Sequence, residues 1–441
     1  MANSKNSSAL FYLLMAIVLW APLPKGSFTE LYWHFLAALV FLLGTLFCAL
    51  LVISKSTLSP VLRKSWLPIV ALICFQCWVF TQYALGLTQS PYNTLVELQL
   101  GIAYTLFFIL CLQLIDTKEK LKLMAIAVVL AGTFQAFYGS FMTLSGLEYG
   151  FLGKKDHFLG VATGTFKART HFAGYMEMCL AVAIGLMLSQ LRTDSAKGWQ
   201  DHWRRLLETL LSPKFRLRLY LIIMVVGLVL SRSRMGNSAF FISVTVCGIL
   251  ALYLQRKQIS KSTKHNVILF FISMALIDVL IVSNWFGIEK LLVRIENTSA
   301  VTIVRDEAVR DAMHMWRDNP LTGTGGGTFH YVLTEYRGVD VPNTLFTAYN
   351  DYAELGAEYG IIGIIPLGFI VLYCLWQGIR AQVERRSRLL QGMGFASTMG
   401  IVALLIHSFS DFNMHIPANA LTFMMILAFG CIARNLPRDK F

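Results

Sequence analysis

Charge is scarce in this chain. Only 14% of its 441 residues are Asp, Glu, Lys or Arg, against 56% hydrophobic, and mean hydropathy is +0.59. An ordinary soluble domain carries about 25% charged residues, so the shortage excludes a large soluble core. Cysteine is sparse and scattered. Most of the eight (Cys48, Cys74, Cys77, Cys111 and Cys247 among them) lie inside apolar runs and read as small core residues. The Cys74-x-x-Cys77 spacing has no further ligands beside it, which excludes a metal site of that kind. A cleavable signal peptide is also missing. MANSKNSS leads into a first helix that is expected to be the anchor itself. No internal repeat is visible, and nothing reads as a separate soluble domain.

What is present is a series of apolar runs of roughly 20 residues, the length that crosses a hydrocarbon core of about 30 Å. They fall at 9–22, 31–53, 66–86, 97–115, 121–144, 171–190, 217–231, 236–254, 267–286, 358–380, 392–409 and 417–434. The expected fold is therefore an all-α membrane protein of about twelve transmembrane helices. It forms a single polytopic domain over 1–441, with one large loop, 287–357, inside it. The formal charge of +13 does not imply a nucleic-acid partner. The basic residues cluster in short connections: Lys55, Arg63 and Lys64; Lys118, Lys120 and Lys122; Arg192 to Arg216; Arg256 to Lys264; Arg380 to Arg388; and Arg434 to Lys440. With twelve spans all of these share one side, which the positive-inside rule makes cytoplasmic. Both termini are then cytoplasmic, and 22–30, 87–96, 145–170, 231–236, 287–357 and 410–416 face the periplasm or cell exterior.

The longest polar interruption, Arg305 to Gly363, draws the eye first, because loops held by a rigid scaffold carry chemistry. Within it, 299–318 reads as an amphipathic helix with Val301, Val304, Ala308, Ala312 and Met315 on one stripe, capped by Ser299 and ended by Asn319-Pro320. Such a helix would lie along the outer membrane–water boundary. The run Gly323-Thr324-Gly325-Gly326-Gly327 follows, allowing a tight turn and close backbone approach to something. It follows no strand and lacks the Lys-Ser/Thr ending of a P-loop, which excludes a soluble-type nucleotide site.

Four charged groups stand at the outer edge or at membrane depth. Arg232 and Arg234, in Ser231-Arg232-Ser233-Arg234, run against the topology rule, and a lipid-linked phosphate would be a natural partner for a guanidinium fork. The structural alternative is snorkelling to headgroups. Lys167, Arg169 and His171 precede Glu177, an ionisable residue inside a span, of a kind that lines cavities; the alternative is a structural Arg–Glu pair. On the amphipathic helix Arg310, His314 and Arg317 share a solvated face, Asp306 is placed to pair with Arg310, and Arg305 points elsewhere. Asn350, Asp351, Glu354 and Glu358 precede Gly360 and Gly363, with Glu354 and Glu358 on one helical face. His407, Asp411 and His415 form a smaller group that reads as structural. No His-x-x-x-His or paired-Asp motif lies on the outer side, so neither metal nor other cofactor is expected. Arginines beside carboxylates and a glycine loop suit an anionic, lipid-anchored diphosphate leaving group.

The segments ATGTFKARTHFAGYMEM (162–178), LSRSRMG (230–236), DNPLTGTGGGTF (318–329), NDYAELGAEYGIIG (350–363) and HSFSDFNMHIPANA (407–420) resemble the bacterial O-antigen ligase and polymerase superfamily. The resemblance spans roughly 160–420. It implies a metal-independent, inverting glycosyltransferase of the C-type membrane architecture in the bacterial inner membrane. Its donor would be an undecaprenyl-diphosphate glycan, and its acceptor lipid A-core or another glycan, among membrane lipids. Arg232 or Arg234, with Arg305, would grip the diphosphate, helped by Lys167, Arg169 and Arg310. The ligase pattern is His-Asn, nine residues, Gly-x-x-Gly. Asn350, Gly360 and Gly363 fit it, but Tyr349 stands at the histidine position. A phenol, with an ordinary pKa of about 10, is a poor base. His330 or Glu358 would then substitute for Tyr349, or arginine-driven departure of the diphosphate would dominate. O-antigen ligase is the expected activity, ahead of a repeat-unit polymerase or a protein O-oligosaccharyltransferase. The rivals of another class are a lipid-linked glycan transporter, which should show two-fold repeats, and a non-catalytic carrier-binding relative, which Tyr349 favours.

Overall fold

The structure, a computed structural model, describes residues 2–54, 57–150, 153–155, 157–190, 213–254, 305–337 and 346–437. The expected span 267–286, the cap Ser299, the stripe residues Val301 and Val304, and the charges of 192–205 and 256–264 lie outside these residues. Among the described residues the fold is all-α, with one two-stranded hairpin of β1 (Tyr149–Gly150) and β2 (Gly153–Lys154).

The helices are α1 (Ala2–Trp20), α2 (Glu30–Ser54), α3 (Pro60–Lys64), α4 (Trp66–Ala84), α5 (Pro91–Leu114), α6 (Lys118–Ser145) and α7 (Arg169–Ser189), then α8 (Pro213–Leu230) and α9 (Arg234–Leu254). After them come α10 (305–318), α11 (Phe329–Tyr336), α12 (Asp351–Glu384), α13 (Arg388–His407) and α14 (Pro417–Asn435). Among the described residues nine helices are long and apolar enough to cross a membrane: α2, α4, α5, α6, α7, α9, α12, α13 and α14. The chain is a multi-pass membrane protein.

Helices α7 and α14 form the centre. The stretches Phe172 to Leu186 and Pro417 to Ala433 are buried throughout, and α13 packs along both. The outer helices show the reverse, with Leu42, Ile73, Ile222, Ile365 and Leu372 exposed. Apolar groups on the outside belong against lipid tails. Cys48, Cys74 and Cys77 are on that outer surface, contrary to their expected core role, while Cys111, Cys179, Cys247, Cys374 and Cys431 are buried. A small thiol is tolerated on either face when both are apolar.

The tenth expected span starts earlier than its hydrophobicity. α12 begins at Asp351 because Asn350 caps it, its side-chain oxygen accepting from Tyr352 N (3.0 Å) and Ala353 N (3.1 Å). Polar Asp351, Glu354 and Glu358 are thus helical and buried. The helix breaks at Gly360 (φ +60°, ψ −173°), a conformation essentially confined to glycine. The break opens the backbone ladder, and the glycine-rich loop fills it. Ala357 O accepts from Thr324 N (2.9 Å), and Glu358 O from Gly325 N (2.9 Å) and Gln82 Nε2 (2.8 Å). Tyr359 O accepts from Trp78 Nε1 (2.9 Å), while the amides of Ile361 and Ile362 donate to Pro320 O (2.9 Å) and Leu321 O (3.3 Å). The close backbone approach expected of the glycine run is therefore to this chain's own broken helix. A Cβ at Gly323 would collide with Glu358 O, and one at Gly360 with Leu321 O.

The described part of the stripe of α10 is buried against protein. Ala308, Ala312 and Met315 join Phe329, Val332 and Leu333 of α11 and Ala353 and Ala357 of α12 in a separate small core.

Gly360→Ala should lower the unfolding temperature of the detergent-solubilised protein sharply, by a cost of order 1–3 kcal/mol for the backbone conformation alone plus the Leu321 collision. Gly368→Ala, on the same helix with open space at its Cβ, should be neutral or stabilising by up to about 1 kcal/mol. Equal effects in a thermal unfolding series would refute this account of the kink.

Candidate active site

Asn350, Asp351 and Tyr349 are fixed where the start of α12 meets the end of α13. Asp351 N donates to Ser408 O (3.0 Å), Ser408 Oγ donates to Asp351 Oδ2 (2.7 Å), and Asn350 Nδ2 donates to Phe409 O (3.1 Å). These bonds hold Tyr349 just ahead of the cap in a left-handed backbone conformation, φ +52°. For a residue with a Cβ that conformation costs energy, and such strain collects at functional sites.

The strained residue presents its ring to Arg305, whose guanidinium carbon lies 4.5 Å from the Tyr349 ring centroid. On the other side Tyr349 meets Phe412 edge-on at 5.4 Å, and Phe412 meets His171 at 4.6 Å. His171 neighbours Phe28 (6.1 Å), and Lys167 Nζ lies 5.3 Å from the Phe28 ring. An aromatic file, Tyr349–Phe412–His171–Phe28, thus runs between Arg305 and Lys167, and Phe412 and Phe28 are the members that sequence reasoning missed. Arg169, first in α7, lies over Phe158 at 5.9 Å.

The Arg232–Arg234 turn reaches the same neighbourhood. Ser233 Oγ accepts from Gly236 N (3.2 Å) at the start of α9, and Ala162 N donates to Leu230 O (2.9 Å). A Cβ at Gly236 would meet Ala173 and the Glu177 carboxylate, so this turn packs directly on α7. Arg232 itself has φ +52°, and both arginines are exposed. Arg310 is also exposed and pairs with Asp311 (3.4 Å) rather than with Asp306. His330 stands on α11 with its ring 4.5 Å from Phe346.

The carboxylates take partners that the sequence did not reveal. Glu177, fully buried, is bonded to His407 Nδ1 at 2.7 Å; its partner is a histidine of another span, not an arginine. Glu358 Oε1 accepts from Phe329 N (2.9 Å) at the start of α11, so this carboxylate anchors the glycine loop and is 1% exposed. Glu354 Oε2 accepts from Ala348 N (2.8 Å). His415, on the 3-10 turn Asn413–His415, stands with Nδ1 3.3 Å from Asp351 and Nε2 3.5 Å from Glu354. The group His407, Asp411 and His415, read as structural, is joined through His415 to the acidic start of α12. Among the described residues no group of three or more His, Cys, Asp and Glu is arranged to hold a metal ion.

Burial opposes charge on His415, but Glu354, Asp351 and Glu358 outweigh it and hold the imidazole pKa well above its ordinary value. A raised pKa in the folded state makes the charged ring stabilising. That stabilisation is complete below about pH 6.5, the unfolded histidine value, and disappears as pH rises through the raised one. His415→Gln should therefore lower the unfolding temperature most at pH 6 and below, with the gap to wild type closing in alkaline buffer. A pH-independent gap in differential scanning fluorimetry would show that the charge is not what matters.

No curated protein matches the chain. Residues 219–368 match the family model described as O-antigen ligase. That stretch, less than half of the chain, takes in the Arg232–Arg234 turn, the Arg305 helix, the glycine loop and the broken helix as far as Gly368, and the match supports a likeness to the O-antigen ligase and polymerase superfamily, whose work is glycan transfer at membranes.

Proposed function

We propose that the chain transfers a glycan from an undecaprenyl-diphosphate donor at the periplasmic face of the bacterial inner membrane. The acceptor would be lipid A-core, making the activity that of an O-antigen ligase. The observation that carries this reading is the placement of Arg305. It lies over the strained Tyr349 at the end of the bundle where Lys167, Arg169, Arg232 and Arg234 also emerge. The positive-inside rule supports the side, because the basic connections lie at the other ends of these spans.

In the proposed step an acceptor hydroxyl oxygen attacks the anomeric carbon of the donor. The bond from that carbon to the diphosphate oxygen breaks, and undecaprenyl diphosphate leaves with both electrons. Arg305, with Arg232 or Arg234, stabilises the charge developing on the leaving group. Tyr349 supports the guanidinium through its ring face, a role a phenol fills better than that of base. The hydroxyl proton passes to a carboxylate. Asp351 is the residue we assign, because it opens α12 two positions after Tyr349, where its Oδ1 faces His415 Nδ1 at 3.3 Å. Glu358 acts as a positioning residue through Phe329 N. A second reading, repeat-unit polymerase, is favoured by Tyr349 standing where the ligase pattern has histidine.

The test is purified protein in nanodiscs with a lipid-linked glycan donor, offered lipid A-core or a second lipid-linked glycan. Arg305→Ala should reduce turnover by about 10²–10³-fold, the loss typical of removing one transition-state charge donor. Tyr349→Phe, which keeps the ring, should lose less than about tenfold, since ring support of a cation is worth roughly 0.5–1 kcal/mol at exposed sites. Elongation of the lipid-linked glycan alone would select the polymerase. Donor binding without transfer to either acceptor would sink the enzyme reading.

A further inference from the structure

The far ends of the same helices hold a second candidate site. α4 begins, and α12 and α14 end, around an open cavity of about 810 Å³. From Gly360 to Glu384 the axis of α12 rises roughly 36 Å at about 1.5 Å per residue, so this cavity and the break at Gly360 stand about a hydrocarbon thickness apart.

Its inner wall is built from satisfied cations. Arg434 bonds Glu384 (3.1 Å) and Gln377 (2.9 Å) and lies over Trp376 at 4.4 Å. Arg385 donates to the carbonyls of Arg434 (3.2 Å) and Leu436 (2.6 Å), closing the end of α14. Glu384 is already shared between Arg434 and Arg380, so it leaves no negative charge to spare. At the mouth stand Arg63 and Lys64, both exposed and without an ion pair among the described residues. Asn435 Nδ2 donates to Ser65 Oγ (3.2 Å), tying this corner to α14. α4 starts beside them with no side-chain cap, adding partly positive amides. Trp66 (57% exposed) and Trp376 (46% exposed) flank the opening, as indoles do at the membrane–water boundary.

Four cations face one carboxylate, over aromatic walls, at a helix end in the interface. We propose that this cavity binds the phosphate headgroup of an anionic phospholipid, with Arg63 and Lys64 as the phosphate-reading residues and Trp66 and Trp376 against the glycerol and upper chains. The inference stands apart from the proposed reaction.

The experiment is thermal unfolding and native mass spectrometry of the full chain in detergent with phosphatidylglycerol, phosphatidylcholine or inorganic phosphate. Phosphatidylglycerol should stay bound and raise the unfolding temperature, and phosphatidylcholine should not. The Arg63→Gln/Lys64→Gln double variant should bind phosphatidylglycerol about tenfold more weakly. Both residues are exposed, so this variant should match wild type without lipid; the single variants, each with a smaller loss, replace it if it does not. Equal retention of phosphatidylglycerol by wild type and the variants, or equal retention of phosphatidylcholine, overturns the proposal. Equal protection by inorganic phosphate overturns it as well, making the cavity a site for soluble anions.

Discussion

The break in α12 at Gly360 is the constraint on which the rest of the site depends. A helix interrupted near a bilayer exposes carbonyls and amides that no lipid can satisfy, each at a cost of several kcal/mol. Here Ala357, Glu358 and Tyr359 present carbonyls, Ile361 and Ile362 present amides, and the segment 320–325 with Gln82 and Trp78 answers them. That exchange fixes the glycine loop, and through it α11 and Glu358. It also turns the polar start of α12 toward α13, where Asn350 and Asp351 are tied to Phe409 and Ser408.

A second layer is electrostatic. The acidic start of α12 is balanced by histidine rather than by the nearby arginines. His415 faces Asp351 and Glu354, and His407 takes Glu177. Arg305 lies instead on the ring of Tyr349. Cations held by ring faces keep their hydrogen-bond donors available, which suits recognition of an anionic group.

The spans were legible because an apolar run of membrane length has few other uses, and α2, α7, α13 and α14 match the expected ranges to within a few residues. The glycine run was legible as a place of close approach, but not its partner, since backbone carbonyls carry no side-chain signature. The beginning of α12 was hidden by its own polarity, and the Asn350 cap was the available signal. His415 was visible as a titratable residue near a span end. Its contacts with Asp351 and Glu354 cross 64 and 61 positions of sequence, and no periodicity reports on such a pairing. The partners of α10 in its small core were not legible, because an amphipathic stripe says that a face is covered without saying by what.

The seam between Gly323 and Gly360 is made of main chain on both sides. It has no side chains through which selection can act by small steps, since any Cβ at either position collides. In the ring-and-guanidinium half of the site, Tyr349, Phe412, His171 and Arg305 meet one another through ring faces and edges. Lineages sharing this scaffold should therefore differ in their aromatic and basic side chains while the seam stays as it is, so that the lining of this end of the bundle is open to point mutation and its frame is not.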